Sequence, residues 1–416
     1  MLSSMPSLFL TRRADVAVPV SADTPVPFAR ISFALFLAGF STFSLLYCVQ
    51  PLLPEFARDF ALSPAQSSLA LSLATGALAL AIFSMGALSQ ALPRRGLMAT
   101  SMVLAALLNL AAAVAPSWPL LLACRLLEGL VLGGVPAVAM AYLAEEMEPR
   151  RLGSAMGLYV GGTAFGGMMG RVGMGMLVEW GSWRGALAAL ALIDLVAAIG
   201  FFWLLPASRR FVPQRGFDWR QHAQAWRRQL AQPALLRLFG IGFVLTSVFV
   251  ALFNYLGFRL AAAPYHFSPT QISLVFLSYT LGIFSSGTSG ALSQRLGRRG
   301  ALATGLGLMG LGVLVTLGSS LAAIATGVGL VTIGFFIAHA VASAWVGQLA
   351  GAHKGHAASL YLLFYYLGSS SIGAVGGWFW LHGGWPAEVA LTTVLAALGL
   401  GLAWAQGRPN QDARHG

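Results

Sequence analysis

GALSQALPRRG runs from Gly86 to Gly96, and GALSQRLGRRG runs from Gly290 to Gly300; nine of the eleven positions agree across an offset of 204 residues. Each copy closes a long apolar run and opens a short arginine cluster, the pattern of a membrane helix meeting water. Weaker matches recur at nearly the same spacing. SPAQSSL from Ser63 returns as SPTQISL from Ser268, GLVLGG from Gly129 as GLVTIG from Gly329, and AMGLY from Ala155 as AASLY from Ala357. The chain therefore reads as a duplicated membrane protein. In each SPxQ, Ser takes the N-cap, Pro the first helical position and Gln the place that returns the cap bond, so the second and eighth spans start there.

The composition agrees: 57% of the 416 residues are hydrophobic and 9% charged, far from the make-up of a soluble chain. Apolar stretches of about 20 residues, the length needed to cross a bilayer, fall near 31–53, 67–91, 97–115, 119–143, 152–177 and 184–205, then near 236–262, 270–291, 301–318, 321–347, 357–381 and 387–406. An all-α membrane fold of about twelve helices in two six-helix halves follows. The expected organisation is a cytoplasmic tail over 1–30, a first bundle over 31–206, a basic linker over 207–235, a second bundle over 236–406 and a tail over 407–416.

A formal charge of +12 invites a nucleic-acid reading, but 20 of the 25 basic residues lie in alternate connections or tails. That alternation is the positive-inside signal and places both termini in the cytoplasm of a bacterial inner membrane. The 1–29 segment has no cleavable leader pattern and reads as a disordered tail. In the linker, Trp219 and Trp226 among arginines suggest a helix resting its apolar side on the inner headgroup layer. Cys48 and Cys124 sit in apolar spans and read as packing residues. No metal-spaced His or Asp cluster, nucleophile–base pair or phosphate-binding GxxxxGK[ST] loop occurs, so neither an enzyme, a cofactor, a metal nor ATP is expected.

Ionisable groups inside spans are the first functional candidates, since a charge at mid-helix costs about 3 kcal/mol. Arg125 and Glu128 share one helical face three residues apart. They form either a structural ion pair or a proton site in which Glu128 titrates and Arg125 tunes it. Asp194 reads as a buried scaffold carboxyl or a transport residue. His339 reads as a second titrating group or a hydrogen-bonded strut. Arg171 either reaches Glu128 when the outer end closes or snorkels to the outer headgroups.

Two six-helix halves, a basic central loop and a Gly-x-Leu segment ending in paired arginines resemble the major facilitator superfamily, over almost the whole chain. In its loop motif the resemblance implies a gating role for Gly86, Gln90, Arg94 and Arg95 and for Gly290, Gln294, Arg298 and Arg299. Gln90 and Gln294 replace the motif's acid and weaken its ionic latch. Arg125 to Gly129 is similar to the family's RxxxG. Gly162, Gly166 and Gly170 resemble the antiporter motif of the drug-efflux branch, with Gly167 for its proline and Arg171 for its last glycine, and LLYCVQPLLP and SLYLLFYYLGSS extend the likeness toward YnfM-type inner-membrane transporters. The glycines equally suit close helix packing. From the family's lining helices, the resemblance implies a substrate cavity drawn from Tyr47, Gln50, Asn254, Tyr255, His339, Trp345, Tyr361, Tyr365 and Tyr366. The expected activity is proton-coupled efflux of a small amphipathic organic compound by a monomer in the bilayer, with a small-molecule substrate and H+ as partners and no nucleic acid. Import of a small nutrient, or lipid translocation, are the alternatives.

Overall fold

The computed structural model describes residues 28–88, 93–208 and 219–406, all of them helices and short connections. In the N-terminal half, α1 (Phe28–Tyr47) ends before a single 3-10 turn at Gln50–Leu52, because Pro51 and Pro54 interrupt the hydrogen-bond ladder, and α2 (Leu53–Asp59) follows. Then come α3 (Pro64–Leu88), α4 (Arg94–Ala113), α5 (Trp118–Leu132) with α6 (Gly134–Glu146) as one 29-residue passage, α7 (Pro149–Glu179) and α8 (Trp183–Leu204). A short helix, α9 (Trp219–Leu230), precedes the second half: α10 (Pro233–Ala261), α11 (Pro269–Ser273) running through a 3-10 stretch into α12 (Tyr279–Val315), α13 (Leu321–Leu349) and α14 (Lys354–Ala405).

Two of these are each a pair of spans. Gly297, at φ +72°, breaks α12, and Gly384, at φ +60°, breaks α14; a left-handed φ is nearly free only for glycine. The passages then number six on either side of α9. Gly297 lies 204 residues after Pro93, which caps α4. The same repeat position thus caps the start of a helix with proline in one half and breaks a helix with glycine in the other.

The halves are built alike. α1 packs on α7 as α10 packs on α14, and across the molecule α3 meets α14 while α7 meets α11. Glycines allow the first two contacts: a Cβ at Gly162, Gly166 or Gly170 would run into the backbone of Phe36, Phe40 or Ser44, and one at Gly368 into Phe243. Both SPxQ capping boxes form. Ser63 and Ser268 each receive the amide of the Gln three residues on, and each Gln side chain takes back the Ser amide at 2.9 Å. Separate apolar clusters fill the two halves, and Tyr366 of α14 packs into the N-terminal one.

The linker helix departs from expectation. Trp226 does not lie on lipid; it is buried and stacks on Phe83 of α3 at 4.2 Å, because an apolar gap between the halves offers it more contact than the headgroup layer would. Trp219's side chain, Gln90 and residues 209–218 lie outside the described residues.

Candidate functional site

Three buried polar assemblies occupy the middle of the bundle. In the first, Arg125 of α5 is fully enclosed and saturated. Its Nη1 meets Glu128 Oε2 at 2.7 Å, and it donates to the carbonyls of Leu45 (3.1 Å), Leu46 (2.7 Å) and Ala70 (3.2 Å). The guanidinium therefore ties α5 to the end of α1 and to α3. Gly129 makes this possible, since a Cβ there would collide with the backbone of Ala74. Glu128 is equally enclosed, and its Oε1 has no hydrogen-bond partner among the described residues. Asp194 of α8 faces the same end of α1, taking the Ser44 hydroxyl at 3.3 Å on both oxygens. Cys48 lies between, near Arg125 and Asn109. Glu128 is thus ion-paired to Arg125, while Asp194 is held by a serine hydroxyl of α1.

The second assembly joins the halves. Arg171 of α7, 1% exposed, donates from Nε to Gln50 Oε1 at 2.6 Å and from Nη1 to the Gly167 carbonyl at 2.5 Å. Gln50 Nε2 in turn donates to Asn254 Oδ1 of α10 at 2.8 Å. Tyr255 hands its hydroxyl to the Gly373 carbonyl at 2.6 Å, and the Asn254 amide points to the same oxygen at 3.5 Å. Gln50 and Asn254 stand 204 residues apart, the offset of the repeat, so a pair of equivalent positions meets face to face. The expected Arg171–Glu128 pair does not form, although the end of the bundle beside Arg171 is closed. Glu128 is held by Arg125, while Arg171 lies among rings: Tyr47 at 4.0 Å, Tyr279 at 4.9 Å and Phe276 at 5.1 Å. Nor does Arg171 reach the headgroups. Each such ring contributes about 0.5–2 kcal/mol, against several kcal/mol for desolvating a cation.

The third assembly is aromatic and belongs to the C-terminal half. His339 Nδ1 lies 3.0 Å from the Tyr361 hydroxyl, with its ring against Phe335 and Tyr365. Phe249 bridges Phe335 at 4.1 Å to Tyr279 at 5.4 Å. His339 and Tyr365 are half-buried; Tyr361 and Tyr366 are closed off. Trp345 sits in the C-terminal apolar core.

The two ends of the bundle differ. At the arginine-rich end a cavity of about 410 Å³ lies between the halves, lined by Phe83, Met140, His222, Trp226, His356 and Leu362 among others. His222 of α9 meets His356 of α14 at 3.0 Å across its mouth. At the opposite end the halves are shut. Glu179 takes the Ser268 hydroxyl at 3.0 Å and the Thr270 amide at 3.2 Å, Gly175 abuts Ser273, Gly377 abuts Ala65, and Ser370 bonds the Ser72 carbonyl at 2.7 Å.

The loop motifs hold within their halves. Arg94 pairs with Glu145 at 2.9 Å, and Arg95 donates to the Phe202 carbonyl at 2.6 Å. In the second copy Arg299 lies over Trp404 at 4.5 Å, while Gln294 and Arg298 are exposed and Gly290 opens onto empty space. Gly86 falls in the last turn of α3. Gly162, Gly166 and Gly170 press α7 onto α1 inside one half.

Sequence reasoning named Tyr47 as a cavity residue but missed Phe276 and Tyr279 beside Arg171, and missed Glu388, which is 1% exposed, packed beside Gly376, with neither oxygen hydrogen-bonded among the described residues. An acid at the start of the last apolar stretch was the available signal for Glu388. Phe276 and Tyr279 had none, because aromatic residues are common throughout such helices.

Comparison with known proteins agrees with this architecture. The model of the Major Facilitator Superfamily matches residues 32–263 and again 260–415. The chain is 43% identical over 388 residues to the inner membrane transport protein YnfM of Escherichia coli strain K12, covering 91% of each, and 42% identical over 383 residues to the uncharacterized MFS-type transporter YybF of Bacillus subtilis strain 168, covering 92% of this chain and 94% of that one. Among solved structures, a bacterial homolog of the human lysosomal transporter Spinster superposes with a TM-score of 0.77 at 15% identity, over 92% of this chain and 98% of that one. A duplicated six-helix bundle, matched by the family twice over and by relatives along nearly its full length, makes this chain a multi-pass membrane transporter of the major facilitator superfamily.

Proposed function

We propose that the protein is a proton-coupled exporter of a small amphipathic organic compound, working as a monomer by alternating access in a bacterial inner membrane with both termini in the cytoplasm. The observation that carries this reading is the contrast between the two ends: a cavity between the halves at the arginine-rich end and a sealed interface at the other. With arginine-rich connections on the cytoplasmic side, the cavity faces the cytoplasm, where an exported compound would enter. Its walls are largely apolar and aromatic, which suits an amphipathic solute. The span-five glycines, similar to those of the efflux branch, favour export over import.

Glu128 is the coupling group in this reading. Arg125 balances Glu128 when it is ionised, and Glu128 Oε1 has no hydrogen-bond partner among the described residues, so the carboxyl can take up a proton there without breaking a bond. Rocking of the halves would expose that proton to one side and then the other. His339 and Tyr361 form a hydrogen-bonded pair beside the solute path, with His339 as a second group able to carry a proton and Tyr365 and Tyr47 as further lining. The paired arginines of the two loop motifs steady each half as it rocks.

The test is reconstitution of the full chain in liposomes with an imposed pH gradient, screened for counterflow of organic solutes and for proton movement. Solute should move against its gradient only when protons move the other way, and Glu128→Gln should remove the pH dependence while counterflow persists. Transport by Glu128→Gln that still follows the pH gradient would end the assignment of the proton to this carboxyl.

A further inference from the structure

We propose that Arg171 binds the anionic head of the transported compound, so that the substrate is an organic carboxylate carried on an apolar or aromatic body. The proposal rests on the exporter reading above and narrows it to one substrate class.

The two deep arginines of the N-terminal half differ in kind. Arg125 has a carboxylate, whereas Arg171 has only neutral partners: an amide oxygen, a backbone carbonyl and three ring faces. No carboxylate pairs with it among the described residues. A buried cation so placed keeps its attraction for an anion, and a guanidinium takes a carboxylate through two parallel hydrogen bonds. Such a pair would outcompete the single bond from Nε to Gln50.

Space has been made for this side chain. Gly167 stands where the antiporter motif has proline, and Arg171 where it has glycine; a Cβ at Gly167 would lie 3.3 Å from Nη1. The two departures from the motif thus work together, the first clearing room for the second. On the facing wall, the eighth span loosens into a 3-10 stretch at Leu274–Ser278, which carries Phe276 and leads into Tyr279. Mid-helix 3-10 segments mark places where a helix can be reshaped.

A band of packed rings, on which the rest of the molecule would lie once the halves part, leads away from the guanidinium. From Tyr279 the rings of Phe249, Phe335, His339 and Tyr365 follow one another at 5.4, 4.1, 5.8 and 4.9 Å. Leu362, one turn from Tyr365 on α14, lines the cavity at the arginine-rich end. An acid entering there would lay its body on this band with its head at Arg171. Taking Arg171 from Gln50 also frees the amide that holds Asn254 across the interface, which links occupancy to opening of the sealed end. The position 202 residues on from Arg171, at the offset of the AMGLY repeat, is Gly373, so the site is built in one half only.

The test is isothermal titration of the purified full-length protein in detergent with matched pairs: benzoate and benzamide, 2-naphthoate and 2-naphthamide, octanoate and octanamide. In at least one pair the acid should bind tenfold or more tightly than its amide. Arg171→Gln should bring that pair within twofold, and Arg171→Lys should keep a preference for the acid. If no acid exceeds its amide in the wild type, or if Arg171→Gln preserves the preference, the proposal is wrong. Should Arg171→Gln not fold, Gly167→Ala crowds the guanidinium from a tolerant helical position; it should weaken the acid at least threefold and the amide not at all, and equal weakening of both overturns the subsite. Counterflow in liposomes separates this proposal from the one beneath it. Amides exchanging with protons while acids show no preference would overturn the subsite and leave the exporter, whereas preferred acid binding without counterflow of any compound would overturn the exporter and leave the subsite.

Discussion

The N-terminal half holds four deeply buried ionisable side chains, Arg125, Glu128, Asp194 and Arg171. At matching depth the C-terminal half offers rings, with Phe249, Phe335, His339 and Tyr365 in mutual contact. Yet the helices that carry these groups pack in the same way, α1 on α7 and α10 on α14. Backbone geometry was kept after duplication because glycine stripes and capping boxes set it, while side-chain chemistry was free to diverge. The meeting of Gln50 with its counterpart Asn254 is the point at which the two chemistries are joined.

The sharpest way to break the comparison is through the two buried arginines. Arg125→Leu would leave the buried Glu128 without its partner and remove the guanidinium that ties α5 to α1 and α3, a loss of about 3–5 kcal/mol from a total of roughly 5–15. Loss of monodisperse protein in size-exclusion chromatography is the expected outcome. Arg171→Leu removes a cation that pairs with no carboxylate among the described residues, so its unfolding midpoint should stay near the wild type, a change within about 1 kcal/mol. Equal damage from both substitutions would show that Arg171 is as structural as Arg125.

Next come the glycine stripes. Gly166→Val in the first half and Gly368→Val in the second should each cost about 1–3 kcal/mol by overpacking, read as lowered thermal unfolding midpoints of similar size. A large effect in one half alone would mean that the shared scaffold is not equally strained.

Across the interface, Gln50→Ala and Asn254→Ala each remove a hydrogen bond of about 1 kcal/mol. Both should raise labelling by a membrane-impermeant maleimide of a cysteine placed at Ser68, on the sealed side, and the double variant should do no more than either single one. Additive effects would show that the two amides do not act as a pair.

The smallest difference lies in the repeat motif. Arg94→Ala breaks a partly buried ion pair with Glu145, and Arg299→Ala removes a ring contact with Trp404. Losses of about 1 and about 0.5 kcal/mol are expected. The reverse order in thermal melts would remove the asymmetry between the copies.

Much of this was legible in the chain. Apolar run lengths gave the spans, the 204-residue repeat gave the halves, and SPxQ gave two helix starts, because hydrophobic length and cap chemistry are local. The Arg125–Glu128 pair was legible for the same reason, three residues apart on one helix. Neither alternative read for Arg171, the Glu128 pair or the headgroups, is what the fold gives it, since its neighbours depend on how the other helices turn toward one another. Trp226 was assigned to lipid although the apolar surface it found was protein, contributed by a helix some 140 residues earlier.

By itself, then, the sequence determined what a residue and its near neighbours decide: which segments enter the bilayer, and where the second and eighth spans begin at SPxQ. Only the tertiary structure decided that Gln50 meets Asn254, that Arg171 lies among Tyr47, Phe276 and Tyr279 without an acid, and that one end is sealed while the other holds a cavity. The reason is that a buried charge is satisfied by whatever lies within a few ångströms, and in a twelve-helix bundle those neighbours come from helices far apart in the chain.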